Sequence, residues 1–271
     1  MADQPELYAE GGRKDFTTHP AFHRVEILDA DAGLVKIPEG VEKVAFVGFA
    51  SSTRDKAPYE DPSWLIVGLN QLYRYIPRAD CWFEIHTREM FTSDTVRDTD
   101  YVGWLRKSQV PVIMCERQDD IPMSVRFPLE RAIALGGRDY FQSTIAYMVA
   151  WAMLTGFKEL GIWGVDLVVG DEYFYQKCNL EWWLGIAEAR GVTVTIPKES
   201  ALLKQHHRYG YQREPSFGPF KESTFQKRLA KMAEERNRLL TSINGLEGMM
   251  AECEYWQSQL DLVRKGATVP D

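Results

Sequence analysis

Between Gln142 and Asp166 the chain reads QSTIAYMVAWAMLTGFKELGIWGVD: polar residues open an apolar helix, Gly156 stops it, and a hydrophobic strand ends in Gly164-Val165-Asp166. The hydroxyls of Ser143 and Thr144, with Gln142 before them, stand at a helix start, where backbone N–H groups lack partners and attract an anion. The Gly164-x-Asp166 end falls where open α/β sheets bind ligands. A nucleotide phosphate fits both places.

Three other strand ends carry chemistry. The run Gly48-Phe49-Ala50-Ser51-Ser52-Thr53-Arg54 offers close backbone approach at Gly48, then hydroxyls and a guanidinium suited to phosphate, although it is neither a Walker loop nor G-x-G-x-x-G. Asn70, after Val67-Gly68-Leu69, is either a helix N-cap or an amide that reads a base or a ribose hydroxyl. His86, after Trp82-Phe83-Glu84-Ile85, is a candidate general base with no carboxylate partner evident from the sequence.

The segment DLVVGDEYFY adds Asp171, Glu172, Tyr173 and Tyr175 to Asp166, more carboxylates and phenols than a turn requires. The catalytic candidates are therefore Asp171, Glu172 and His86. The ligand-binding candidates are Gly48, Ser51, Ser52, Asn70, Gln142, Ser143, Thr144, Gly164, Asp166 and Tyr173. Asp171-Glu172 is not the D-x-D arrangement of a nucleotide-bound metal, and no metal site is expected.

The elements that must position these residues follow from pattern. Short apolar runs at Val44–Phe49, Trp64–Leu69, Trp82–Ile85, Val110–Cys115, Glu159–Trp163 and Val192–Ile196 suit parallel strands covered on both faces. Helices at Ser143–Leu154 and Tyr173–Arg190 each end one or two residues before a Gly. The expected fold class is α/β: a doubly wound, mostly parallel Rossmann-like sheet of about six strands, with a C-terminal helical, coiled-coil-like extension.

The expected organisation is an irregular lead-in over 1–40, a nucleotide-binding α/β domain over 41–204, a linker over 205–219 and a helical extension over 220–271. In the extension, apolar residues at Phe225, Leu229, Met232, Leu239, Ile243, Leu246, Met249 and Met250 form one stripe between charged residues. Gly245 and Gly248 leave a continuous rod and a helical hairpin both open. A charged helix with a narrow apolar stripe predicts a homo-oligomer formed through the C-terminal helices.

Composition bounds the function. The 271 residues carry a net charge of −7, which disfavours a general nucleic-acid binder; Lys204, His206, His207, Arg208 and Arg213 make the best local basic cluster. With 45% hydrophobic residues and 8 Trp the chain can bury a sizeable core. No run of ~18 apolar residues and no signal-peptide order occur, which predicts a cytoplasmic protein with no membrane partner. Cys81, Cys115, Cys178 and Cys253 show no C-x-x-C pairing and read as reduced packing residues.

The Gln142–Asp166 run resembles the nucleotide-binding half of the bacterial Cst-type sialyltransferases and of the related motility-accessory and pterin-diphosphokinase-like proteins. Val44–Ser52, Gly68–Tyr73 and Glu181–Pro197 with Ser200–Leu203 agree in order, and the resemblance covers about Glu42 to Lys204. It implies a metal-independent glycosyltransferase with no tightly bound cofactor, whose donor is a nucleotide-sugar, UDP- or CMP-linked, and whose acceptor is a hydroxyl. Ser51, Ser52, Asn70, Ser143, Thr144 and Asp166 would line the nucleotide pocket.

The chain departs from the family pattern at Phe49, Ala50 and Ser51, and its lid, VVGDEYFYQKCN, is short and lacks a catalytic His. The base must differ accordingly. Short-lidded proteins of this look are familiar from phage genomes, which implies host cytoplasm and, as one acceptor, a hydroxymethylated base in phage DNA. Two other readings remain: a non-catalytic nucleotide-binding module docked through its C-terminal helices, and a diphosphotransferase that needs Mg²⁺ and ATP.

Overall fold

The computed structural model describes residues 23–93, 100–167, 171–204, 208–212 and 222–264, with the side chains of 171, 172 and 222–224 left undescribed. Most of the expected linker and of its basic cluster lies outside these residues. The chain divides into two compact units, Met1–Lys204 and Gln205–Asp271.

In the first unit, strands β1 (Glu26–Asp29) and β2 (Leu34–Lys36) form a small antiparallel ribbon. Seven strands make the main sheet: β3 (Lys43–Val47), β4 (Trp64–Leu69), β5 (Cys81–Glu84), β6 (Val112–Met114), β7 (Ser124–Arg126), β8 (Glu159–Trp163) and β9 (Thr193–Thr195). Their order is β7-β6-β5-β4-β3-β8-β9, and every adjacent pair is parallel. The chain starts at β3, winds out to β7, then crosses back to lay β8 on the other side of β3. The doubly wound parallel sheet is as expected, with seven strands in place of about six.

Both faces are covered, which is why these strands are apolar throughout rather than alternating. One face buries Val44, Phe46, Val67 and Phe83 under α4 (Thr144–Thr155) and α5 (Asp171–Ala189). Seven residues of α4, from Ile145 to Ala152, are buried, so this helix is apolar on most of its circumference because it runs through the core. Ser143 caps it by accepting a hydrogen bond from the Ala146 N–H, and Gly156 ends it with φ 88°. A shorter helix, α3 (Leu129–Gly136), packs against α4.

The other face is aromatic. After the one-turn helix α1 (Arg88–Phe91) comes α2 (Tyr101–Lys107), whose Trp104 meets Trp82 edge-on at 4.8 Å and stacks on Tyr73 at 4.9 Å. A buried ion pair locks the sheet's lower end: Arg78 donates to Asp80 at 2.8 Å and to the carbonyls of Tyr59 and Trp64, while Asp80 also accepts from the Ile66 N–H. With Asp80 fully buried and Arg78 nearly so, such a pair needs further hydrogen bonds to offset its desolvation, and the other Asp80 oxygen, Oδ1, accepts from the His23 N–H at 3.1 Å.

Among its described residues the second unit contains one helix, α6 (Glu222–Arg264), of 43 residues. It runs through Gly245 and Gly248 without a break, which selects the rod over the hairpin. Among the described residues no helix is long and apolar enough to cross a membrane. All four cysteines are free; Cys81 is buried, but Cys115, Cys178 and Cys253 are exposed, so the packing role expected of all four holds only for Cys81.

Candidate functional site

The strand order reverses at β3, whose neighbours β4 and β8 come from opposite directions of winding, and the crevice at the carboxyl ends of such strands is where open α/β sheets bind ligands. At that point two loops are laced together. The Gly48 N–H donates to the Trp163 carbonyl and the Ala50 N–H to the Gly164 carbonyl, each at 2.8 Å. The Gly164 N–H donates in turn to the Thr53 hydroxyl at 2.7 Å.

No side chain fits between these backbones. A Cβ on Gly48 would lie 2.5 Å from the Gly164 oxygen, and one on Gly164, whose φ is +69°, would lie 2.3 Å from the Gly48 oxygen. Thr53 is fully buried, so its hydroxyl is a lock between loops and not the phosphate donor the sequence suggested. Arg54 is likewise engaged, 5.4 Å over the Tyr75 ring and paired with Asp55 at 3.1 Å.

The lacing places Asp166. Ser52 donates to its Oδ2 at 2.8 Å, and the buried Ser200 hydroxyl holds the adjacent Val165 carbonyl at 3.0 Å. The second carboxylate oxygen, Oδ1, is buried and has no hydrogen-bond partner among the described residues. Asn70, at the end of β4, shows the same condition: its Oδ1 is buried and unpartnered.

Asn70 sits at φ 49°, and its main-chain carbonyl accepts from the Trp82 indole at 3.0 Å. The short turn Asn70–Arg74 is preceded by Leu69 with no side-chain cap, so Asn70 is not the N-cap the sequence allowed. Ser51 and Ser52 are exposed beside these residues.

One strand beyond β4, the end of β5 carries a second constellation. His86 Nδ1 lies 2.6 Å from Glu84 Oε1, and the same oxygen accepts the His86 backbone N–H at 3.1 Å. Tyr101 donates to Glu84 Oε2 at 2.7 Å, and Trp82 donates to the Tyr101 oxygen at 3.4 Å. His86 therefore has the carboxylate partner that the sequence did not reveal, since Glu84 in the run Trp82-Phe83-Glu84-Ile85 carries no mark of facing inward.

Burial, then Glu84, raises the Tyr101 pKa well above the ordinary phenol value, so Tyr101 stays a donor. A carboxylate held this way favours a proton on His86 Nδ1 and the lone pair on Nε2. The Cys115 thiol nearby donates to the Ile85 carbonyl, and although the residue as a whole is exposed, partial desolvation of the thiol, with Glu84 and Glu116 adding, pushes its pKa up. That is the opposite of an activated thiolate.

The remaining candidates lie where α4 and α5 begin. The Gln142 N–H donates to Asn179 Oδ1 at 2.8 Å, and Asn179 and Trp183 of α5 both donate to the Tyr140 carbonyl, which fixes the approach to α4. The Gln142 side chain is exposed, Thr144 and Tyr173 are half-buried, and the Ser143 hydroxyl is spent on the cap. Asp171 and Glu172 open α5, where acidic residues suit the helix N-terminus; their side chains lie outside the described residues.

The structure thus laces Gly48 to Gly164 and Ser52 to Asp166 through direct contacts and sets Asn70 and His86 just past the neighbouring strands β4 and β5. Sequence reasoning missed Glu84, Asn179 and Ser200 and gave Thr53 the wrong role, because their parts depend on contacts between segments that meet only in the fold. Among the described residues no three His, Cys, Asp or Glu side chains group as a metal-ligand set.

No family model matches the chain, and no curated protein matches it. Among solved structures it is similar to the sialyltransferase CstII from Campylobacter jejuni in complex with cytidine-5'-monophosphate, at 13% identity over 57% of this chain and 79% of that one, with a TM-score of 0.38. It is also similar to an α-2,3-sialyltransferase from Campylobacter jejuni in apo form, at 13% identity over 65% of this chain and 81% of that one, with a TM-score of 0.42. Likeness at this level concerns the course of the chain and assigns no activity.

Proposed function

We propose that the chain is a glycosyltransferase that moves a sugar from a nucleotide-sugar to a hydroxyl acceptor. The observation that carries this reading is the pair of buried oxygens, Asn70 Oδ1 and Asp166 Oδ1, which have no partner among the described residues and lie just past β4 and β8, the two strands that flank β3. A buried acceptor without a donor costs about 1–3 kcal/mol, and a ligand bearing hydroxyl or amino groups, such as a nucleoside, relieves that cost on binding.

The nucleotide would lie over the β3 and β8 ends, with its phosphate toward Ser51, Ser52 and the start of α4 at Gln142, Ser143 and Thr144. His86, two strand spacings of about 4.8 Å from β3, stands roughly 10 Å away, within the reach of a nucleotide-sugar. In the proposed step the acceptor hydroxyl gives its proton to His86 Nε2 while its oxygen attacks the anomeric carbon. The bond from that carbon to the phosphate oxygen breaks, and the departing negative charge meets the backbone N–H groups of the α4 start.

Attack from the face opposite the leaving group inverts the configuration. Glu84 and Tyr101 would orient His86. Asp171 and Glu172 are the alternative bases, and Tyr173 belongs to the same pocket. The reading keeps the metal-independence, the UDP- or CMP-linked donor and the hydroxymethylated DNA base as one acceptor, all from the family resemblance. A cytoplasmic location, a homo-oligomer through the C-terminal helices and the division into lead-in, α/β domain, linker and extension complete it.

Thermal denaturation with CMP, UDP, GDP, ADP and their sugars, with and without Mg²⁺, tests this reading. A nucleotide at ~100 times its Kd stabilises by ~2.7 kcal/mol, roughly 5–10 °C in a unit of this size. Asn70→Gly should keep the unliganded Tm, because it removes an orphaned acceptor and tolerates the positive φ, yet lose most of the ligand shift. No shift with any nucleotide overturns the proposal. Dependence on Mg²⁺ with ATP consumption would replace it with diphosphate transfer, and binding without turnover of any donor would replace it with a binding module.

A further inference from the structure

The stripe on α6 keeps strict heptad phase, alternating steps of four and three, from Phe225 to Leu260, and is apolar along that length except at Arg236, Cys253 and Gln257. The apolar members, Leu229, Met232, Leu239, Ile243 and Leu246 among them, are all exposed. Five unbroken heptads over a helix about 64 Å long, at 1.5 Å per residue, are a seam for another helix of equal length.

Charge on α6 is sorted along its length. From Phe225 to Arg238 there are five Lys and Arg against two Glu; from Glu247 to Arg264 there are four Asp and Glu against one Arg; between the two stretches there is no charge at all. Two copies side by side in parallel would set basic half on basic half and Arg236 on Arg236. Reversed, each basic half meets an acidic half.

We propose that α6 pairs with α6 of a second copy as an antiparallel two-stranded coiled coil, in the register that places Ile243 opposite Leu246 of the other copy. That register, fixed by matching first and fourth heptad positions across the seam, also sets Leu239 against Met250. It puts Arg236 against Cys253, with Glu254 beside it to take the guanidinium. Shifted a heptad one way, so that Leu246 faces Met250, fewer stripe positions are paired; shifted the other way, so that Leu239 faces Ile243, as many are paired but Arg236 is set against the apolar Leu246. The proposal is independent of the catalytic reading.

Cysteine cross-linking in the full chain tests it, in a Cys115→Ser, Cys178→Ser background that leaves Cys253 as the exposed thiol. Sedimentation should give a dimer. In the antiparallel pair the two Cys253 residues lie 17 positions apart, about 25 Å, so mild oxidation of this background should give no cross-link. Adding Arg236→Cys should produce a covalent dimer that Cys253→Ser then abolishes.

A monomer in sedimentation overturns the proposal. A Cys253 cross-link without the Arg236 substitution overturns the orientation in favour of a parallel pair. A dimer that Arg236→Cys fails to cross-link overturns the register.

Discussion

Thr53→Val should loosen the candidate site without changing its outline. The hydroxyl is fully buried and accepts the Gly164 N–H at 2.7 Å, so valine, of nearly the same shape, leaves that N–H inside the protein with no acceptor. An unpaired buried amide costs about 1–3 kcal/mol. At the middle of that range, and at about 2–4 °C per kcal/mol for a unit of this size, Tm should fall by roughly 4–8 °C.

Thr53→Ser keeps the oxygen, loses a methyl and should fall by less. Circular dichroism melting of the three proteins measures both. If valine melts with the parent and serine falls, the methyl group and not the hydrogen bond holds the two loops, and the reasoning is refuted.

Two further outcomes follow from the same structure. Asp80→Ala strands the buried Arg78 guanidinium and should cost about 3–5 kcal/mol, seen as a large drop in the denaturant midpoint, whereas a surface change such as Glu39→Ala should leave it within experimental error. Asp120 is held below the usual carboxylate range, first by the hydrogen bond from Arg88 and then by that from Arg106. A depressed carboxylate stabilises the fold above its unfolded pKa and loses that contribution as pH falls through the folded one, so Asp120→Asn should flatten the acid limb of the Tm–pH curve, and an unchanged limb would count against the pairing.

The main sheet was largely legible. Trp64–Leu69 and Glu159–Trp163 read as continuous apolar runs and are strands with those bounds. β7 was not legible because its three residues, Ser124-Val125-Arg126, contain one apolar side chain; it is a strand by virtue of its pairing with β6. The α6 rod was only half legible, because two glycines weaken a helix by an amount that sequence alone cannot weigh against the rest.

At the candidate site the residues on strand ends could be named, since strand ends follow from the apolar runs. Their partners could not. Glu84 sits two residues from His86, but only the packing of Tyr101 turns it toward the imidazole; Thr53 and Gly164 are 111 positions apart and meet only in the fold.

The pairing of β3 with β8, Lys43 to Glu159 through Val47 to Trp163, has a consequence for how the protein is made. During synthesis β3 can find β4 early, but its other edge stays open until Trp163 has cleared the ribosome, more than a hundred residues later. Through that interval an apolar strand presents unpaired N–H and C=O groups, the condition in which nascent chains recruit chaperones or each other. The loop from Gly48 to Thr53 waits with it, for its lock arrives only with Gly164. Ligand-binding competence should therefore be among the last properties the emerging chain acquires, and chains arrested before β8 should aggregate while those arrested beyond β9 should not.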